Sequence, residues 1–248
     1  MEKLRPELLR LARRHRPPHR AVMNEPSIAQ PQSPATRNIR RLALVGLLLD
    51  LTLSELPLGT WGNRVFGKGN LIGHEVFWWC AVVLMLGYVL FVERRRMSSI
   101  GFHRPRFLDF VLAVVVGILM VVGIMVIYFV IFPALHLKMN TAVMGSLMAT
   151  PFWYRFLLVT RAAVSEELLF RGYPIERLLE LTKSPWLAGI VTWAAFTIAH
   201  LGSWGWAQLI VAGYGGVLLT VLYLWRRNLW ANMLAHWIAD GAGFLMPH

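Results

Sequence analysis

The chain has 248 residues, 56% of them hydrophobic and 15% charged, with a mean hydropathy of +0.52, which excludes an ordinary soluble domain. Its formal net charge of +12 would point to nucleic acid in a soluble protein; here the charge sits in a tail and a few short loops, which argues for membrane topology and contact with anionic lipid and against a nucleic-acid partner. The single cysteine, Cys80, excludes an intrachain disulfide and any Cys-based zinc cluster.

Residues 1–41 differ from all that follows. They hold 10 of the 25 Lys and Arg residues and a Pro/Gln/Ser-rich spacer from Pro26 to Pro34. Leu4, Leu8, Leu9 and Leu11 form a short stripe among arginines, compatible with a small interfacial helix. The composition as a whole reads as a basic, disordered cytoplasmic tail. Met23 is an alternative start, and no apolar run precedes a cleavage site, so a cleaved signal peptide is not expected.

From residue 42 to 248 the pattern predicts an all-α transmembrane domain, without internal repeats, of about seven membrane segments: Leu42–Leu58, Val76–Val92, Phe107–Phe132, Phe152–Phe170, Trp186–Leu201, Trp206–Trp225 and Leu229–Met246. Each is near the length of about 20 residues that crosses a bilayer, though several are short. Arg37, Arg40 and Arg41 precede the first segment, and Arg94, Arg95, Arg96, Arg104 and Arg106 follow the second. Arg171, Arg177 and Lys183 follow the fourth, and Arg226 and Arg227 the sixth, whereas the alternate loops carry little beyond Arg64, Lys68, Lys138 and Arg155. The positive-inside rule then puts the N-terminus in the cytoplasm and the C-terminus outside a cell inner (plasma) membrane. Asp50 interrupts the first segment and receives no role; Asp109, at a segment edge, reads as interfacial. His74-Glu75 is no metalloprotease motif, because position 78 is Trp.

The fourth segment contains Ser165-Glu166-Glu167-Leu168-Leu169-Phe170-Arg171-Gly172. An ionised carboxylate in hydrocarbon costs roughly 3 kcal/mol or more, so it persists when paired, wetted or chemically used. On a helix Glu167 and Arg171 are i,i+4 neighbours in the favourable order for an ion pair. Glu166 lies about 100° away and has no such local partner. Two more polar groups follow: Phe196 and His200 one turn apart, and Asn232, His236 and Asp240 in a stripe of period four. A lone membrane histidine is more often an interhelical hydrogen-bonding residue. Six ionisable groups on three nearby segments instead predict one shared, water-accessible cavity.

Depth supports part of that grouping. A hairpin turning near Lys183-Ser184-Pro185 puts Glu166 or Glu167 level with His200. At 1.5 Å per residue, Glu166 lies roughly 21 Å below an outer end at Phe152, and His236 roughly 10 Å above the inner end of its segment. A straight fifth segment carries His200 to the outer face instead. Either that segment tilts, or the fourth helix runs on as an interfacial extension broken near Pro174.

Glu166-Glu167-x-x-x-Arg171, Phe196-x-x-x-His200 and His236-x-x-x-Asp240, in this order, resemble the three signature motifs of the CPBP family. These are intramembrane glutamic proteases related to CAAX prenyl endopeptidase and to bacteriocin-immunity (Abi) proteins. The resemblance covers residues 150–243. It implies that Glu166 and His200 activate water, and that His236 and Asp240 stabilise an oxyanion, with Glu167, Arg171, Phe196 and Asn232 in support. The family often has Asn at the last position. An ionised Asp cannot donate a hydrogen bond, so Asp240 must be protonated or must only orient His236.

Those residue types suit peptide hydrolysis, which needs a base for water, an acid for the leaving amine and a donor for the oxyanion. The expected function is an intramembrane endopeptidase without a cofactor, acting on membrane proteins or lipid-anchored peptides. A zinc site on His200, His236 and Glu166 ranks second on mechanism, since two histidines and a glutamate form a known catalytic set. A non-catalytic scaffold or immunity-type protein of the same fold is the alternative function. A transporter is weaker, because the polar residues cluster in one half of the chain without matched halves.

Overall fold

A computed structural model describes residues 34–67 and 69–246. The tail, its leucine stripe and the spacer lie outside the described residues up to position 33. Helix α1, Pro34–Glu55, takes residues 34–41 into the helical part of the chain. Pro57 ends it, lacking an N–H to continue the ladder, and α2, Leu58–Phe66, leaves at a bend of 59°. Helix α3, Leu71–Gly87, starts where the Asn70 side chain accepts the Gly73 N–H at 2.9 Å. It continues through a π turn, Tyr88–Val92.

Helix α4, Phe107–Val126, runs through a second π turn, Ile127–Ile131, to Ala134. The short α5, Thr141–Met148, meets α6, Phe152–Glu167, at a bend of 120°. A third π turn, Leu168–Gly172, leads directly into α7, Tyr173–Thr182. The chain therefore stays helical from Phe152 to Thr182 and is not broken at Pro174. Lys183, at φ 61°, reverses it, and Ser184 caps α8, Pro185–Ala199, by accepting the Leu187 N–H. After α9, Leu201–Trp204, come α10, Gln208–Arg226, and α11, Leu229–Phe244.

Among the described residues there is no strand. Three helical stretches among the described residues are long and apolar enough to cross a membrane: Leu71–Val92, Phe107–Ala134 and Gln208–Arg226. Counting the bent pairs α1–α2 and α5 to α7 as spans gives up to five, against the seven expected. Windows of apolar residues do not register bends, and α8 has only 15 residues, about 22 Å of rise against a hydrocarbon core of about 30 Å.

Helix α11 packs on both α4 and α6, and α10 on both α4 and α8. Gly117 permits the closest approach of α4 to α11, since a Cβ there would stand 2.9 Å from Ile238 and 3.1 Å from the Ala235 carbonyl.

Ion pairs join the helix ends, and the one between Arg177 and Glu93 is fully buried. Arg177 donates from Nε and NH2 to both oxygens of Glu93, at 2.6 to 3.0 Å, and the Tyr173 hydroxyl donates to the same carboxylate at 2.9 Å. Glu176 accepts from Tyr223 and pairs with Arg227, and Arg95 pairs with Glu180. Asp109, at the start of α4, is buried by protein and accepts from Arg226 Nε at 2.7 Å, the Arg106 N–H and Asn228. One expectation changes here. Arg171 and Arg177, counted above as loop charges, are wholly buried, because the helix continues past Phe170 and encloses them.

Candidate active site

The end of α6 brings Glu166 and Glu167 against α8 and α11, and the two carboxylates diverge at once. Glu167 is fully buried and surrounded by donors. Arg171 NH1 donates to its Oε1 at 2.8 Å, His236 Nδ1–H donates to the same oxygen at 2.8 Å, and Asn232 Nδ2 donates to Oε2 at 3.1 Å. Asn232 also donates to the Leu219 carbonyl at 2.7 Å, which ties α11 to α10. The Arg171 guanidinium lies 4.0 Å from the centre of the Phe196 ring, a cation–π contact that substitutes for lost hydration. It also reaches the Gly216 carbonyl at 3.4 Å.

Glu166 has no such shell. Its Oε2 stands 3.9 Å from His200 Nε2 and 3.9 Å from His236 Nε2, and 18% of its side chain remains exposed. The three histidine and glutamate side chains thus converge from α6, α11 and the residue that ends α8. Short helix length brings His200 there: it caps the 15-residue α8 and lies at the level of Glu166 on the other arm of the hairpin.

Hydrogen bonding fixes both imidazoles. His200 Nδ1 lies 2.8 Å from the Phe196 carbonyl; a carbonyl only accepts, so Nδ1 holds a proton and Nε2 faces Glu166. His236 Nδ1 is likewise committed to Glu167, and its Nε2 faces Glu166 and Asp240 Oδ2, the latter at 3.5 Å. Phe196 packs under both rings, with centroids 4.6 Å from His200 and 6.4 Å from His236.

All eight residues singled out in the sequence therefore fall into one cluster. What sequence reasoning missed is that Glu167 serves His236 as well as Arg171; a contact between residues 69 positions apart leaves no periodic trace. Ser165, inside the first motif, is buried with its hydroxyl lacking a hydrogen-bond partner among the described residues. Asp50 is buried too, with Oδ1 unpartnered among them. Glu75 is held by Arg161 Nε at 3.0 Å, with Tyr154 and His74 alongside, a structural pair that lies apart from the cluster.

Among the described residues no group of three His, Cys, Asp or Glu stands in a metal-holding arrangement. At zinc bonds of about 2.1 Å, donors 3.9 Å apart would subtend roughly 140°, far from tetrahedral.

Residues 148–242 match the family model described as Type II CAAX prenyl endopeptidase Rce1-like. Comparisons with curated proteins and with solved structures give no match. The matched stretch runs from the end of α5 into α11 and contains the whole polar cluster, from Glu166 to Asp240. On these residues the chain is similar to the Rce1-like type II CAAX prenyl endopeptidases.

Proposed function

We propose that the protein is an intramembrane endopeptidase that hydrolyses peptide bonds of membrane-associated substrates with a water activated by Glu166 and His200. One observation carries this reading: Glu166 is the carboxylate without a cation of its own, facing two imidazole nitrogens at 3.9 Å. A water about 2.8 Å from both Glu166 Oε2 and His200 Nε2 would subtend about 90° between them, an acceptable hydrogen-bonding angle.

Glu166 takes one proton from that water as its oxygen bonds to the carbonyl carbon. The tetrahedral oxyanion needs donors. His236 Nδ1–H is already given to Glu167, so His236 meets the oxyanion only with a second proton on Nε2. Asp240, 3.5 Å from that nitrogen, holds the ring in place or, protonated, donates beside it. The proton on Glu166 then passes to the leaving amine as the C–N bond breaks. No cofactor is needed for these steps.

The decisive experiment is cleavage of a membrane-substrate library, containing lipid-anchored and transmembrane peptides, by wild-type and Glu166→Gln protein in proteoliposomes. Cleavage by the wild type alone is expected. Equal cleavage by both, abolished by chelators, would replace the glutamate base with zinc. Intact peptides with both proteins would favour the scaffold alternative. Orientation is tested separately: reporters fused after Arg96 or Arg227 are expected to read cytoplasmic, and one after His248 external.

A further inference from the structure

Beyond the polar cluster, the two stretches of chain that carry His200 and Asp240 meet once more. After His200 comes one further turn, α9, in which the Trp204 N–H donates to the His200 carbonyl at 3.1 Å. On α11, Phe244 follows Asp240 by the same four residues. Residues spaced i,i+4 stand on one helical face, about 6 Å apart, so each aromatic side chain lies one turn beyond a residue of the site. The two rings meet, with centroids 6.2 Å apart and planes inclined by 32°.

The contacts between these two stretches fall in order, as three rungs. The Phe196 ring lies 6.4 Å from the His236 ring, Glu166 Oε2 stands 3.9 Å from Nε2 of both His200 and His236, and Trp204 meets Phe244. The stretch from α8 through α9 therefore runs beside α11 in the same direction, and the two flank a crevice that Glu166 enters from α6. Phe196 stops one end of it and the Trp204–Phe244 pair the other. Between these apolar ends Glu166, His200 and Asp240 keep 18%, 21% and 26% of their side chains exposed, so the middle of the crevice is open.

A peptide cleaved at an internal bond has chain on both sides of that bond. Extended along the crevice it advances about 3.3 Å per residue, and one helical turn rises about 5.4 Å. A residue one or two positions from the bond at Glu166 then comes level with the two rings, and rings in contact leave no room for it. Around α9 there is space for them to part: Gly202 lies two residues before Trp204, Gly205 follows it at φ 84°, and a Cβ on either would meet nothing within 4 Å. We infer that Trp204 and Phe244 are specificity-determining residues that stop one end of the catalytic crevice. Only a small side chain, such as that of glycine or alanine, passes between them when the rings part. This deepens the endopeptidase reading and rests on it for the substrate; the crevice and its stop do not depend on it.

The test reads access to the crevice, so it requires no turnover. Full-length protein carrying Cys80→Ser and Asp240→Cys is reacted in detergent with methyl methanethiosulfonate and with a bulky, biotin-bearing methanethiosulfonate. Phe244→Leu removes the ring contact and keeps an apolar side chain. Adding it is expected to speed the bulky reagent about two- to tenfold, the worth of one aromatic pair, and the small reagent by less than about twofold. Trp204→Ala is expected to speed the bulky reagent further, and Phe244→Tyr, which keeps the pair, to leave both rates as they were. If Asp240→Cys fails to fold, Glu166→Cys places the thiol in the same crevice. An unchanged bulky-reagent rate, or equal acceleration of both reagents, would overturn the assignment. With active protein, Trp204→Ala is expected to raise kcat/KM about tenfold for peptides with leucine or phenylalanine within two residues of the cleaved bond, and to leave peptides with glycine or alanine there within about twofold. A uniform change across both peptide sets would also overturn it. Failure of wild type to cleave would strike the endopeptidase reading alone, because the labelling stands without it.

Discussion

Glu93 and Glu166 are both carboxylates held among membrane-type helices, and their surroundings are opposite. Glu93 ends the π turn of α3, and both its oxygens take donors from Arg177, with Tyr173 adding another and Arg95 Nε 3.9 Å away. Glu166 faces two imidazoles beyond hydrogen-bond distance, while the nearby Arg171 is spent on Glu167. A carboxylate whose charge is fully met holds helices together and has no lone pair to offer water. One whose charge is left to share can act as a base.

The largest effect should come from Glu166. Glu166→Gln is expected to lower proteolysis by at least about 10³-fold, with His200→Ala in the range of about 10²–10⁴-fold, while both variants keep the wild-type melting temperature in detergent. A comparable loss of folding would mean that Glu166 resembles Glu93 after all.

Next, Arg177→Met should leave Glu93 buried and unmatched, a loss of about 3–5 kcal/mol, read as a lowered melting temperature and poor monodisperse yield. Glu167→Gln tests the case between the two. It uncovers the charge of Arg171 and weakens the hold on His236, so both melting temperature and kcat should fall; a fall in stability alone would show that the Glu167–His236 bond is idle.

Asp240→Asn is a smaller and more discriminating change. If Asp240 orients His236 or donates as an acid, the amide substitutes and kcat stays within about threefold, roughly one hydrogen bond's worth. A steeper loss would require an ionised Asp240. The smallest effect belongs to removal of residues 1–22, which should leave membrane insertion and cleavage rates unchanged, since the matched family region begins only at residue 148.

The site was more legible in the sequence than the fold around it. Glu166, Glu167, His200 and His236 stood out because each is expensive in an apolar run, and the Glu167–Arg171 pair follows from helical spacing alone. The bond from His236 to Glu167, and the burial of Asp109 by Arg226, join residues far apart in the chain, so no local pattern announces them. The position of Asp109 at a segment edge says nothing of its partner Arg226, which comes from another helix. The seven expected segments exceed the three to five candidate spans that helix length and composition give among the described residues. Hydropathy reports how apolar a stretch is, not that α1 bends at Pro57, that α8 is short, or that the helix bearing Glu166 runs on to Thr182.

That long helix has a further consequence. In an α-helix each added residue turns the following chain by about 100°, and a π turn carries one more residue than the α turn it replaces. The turn Leu168–Gly172 therefore acts as a phase adjuster between the face that presents Glu166 and the face that presents Arg177 to Glu93. Deleting one of its five residues, with a return to α geometry, would leave the two faces nearly in step, whereas deleting a residue from the α-helical stretch on either side would put them about 100° out of step. The relation between chemistry and anchor is thus set by an angle, and a one-residue change of length is absorbed at this turn but not in the helix on either side of it.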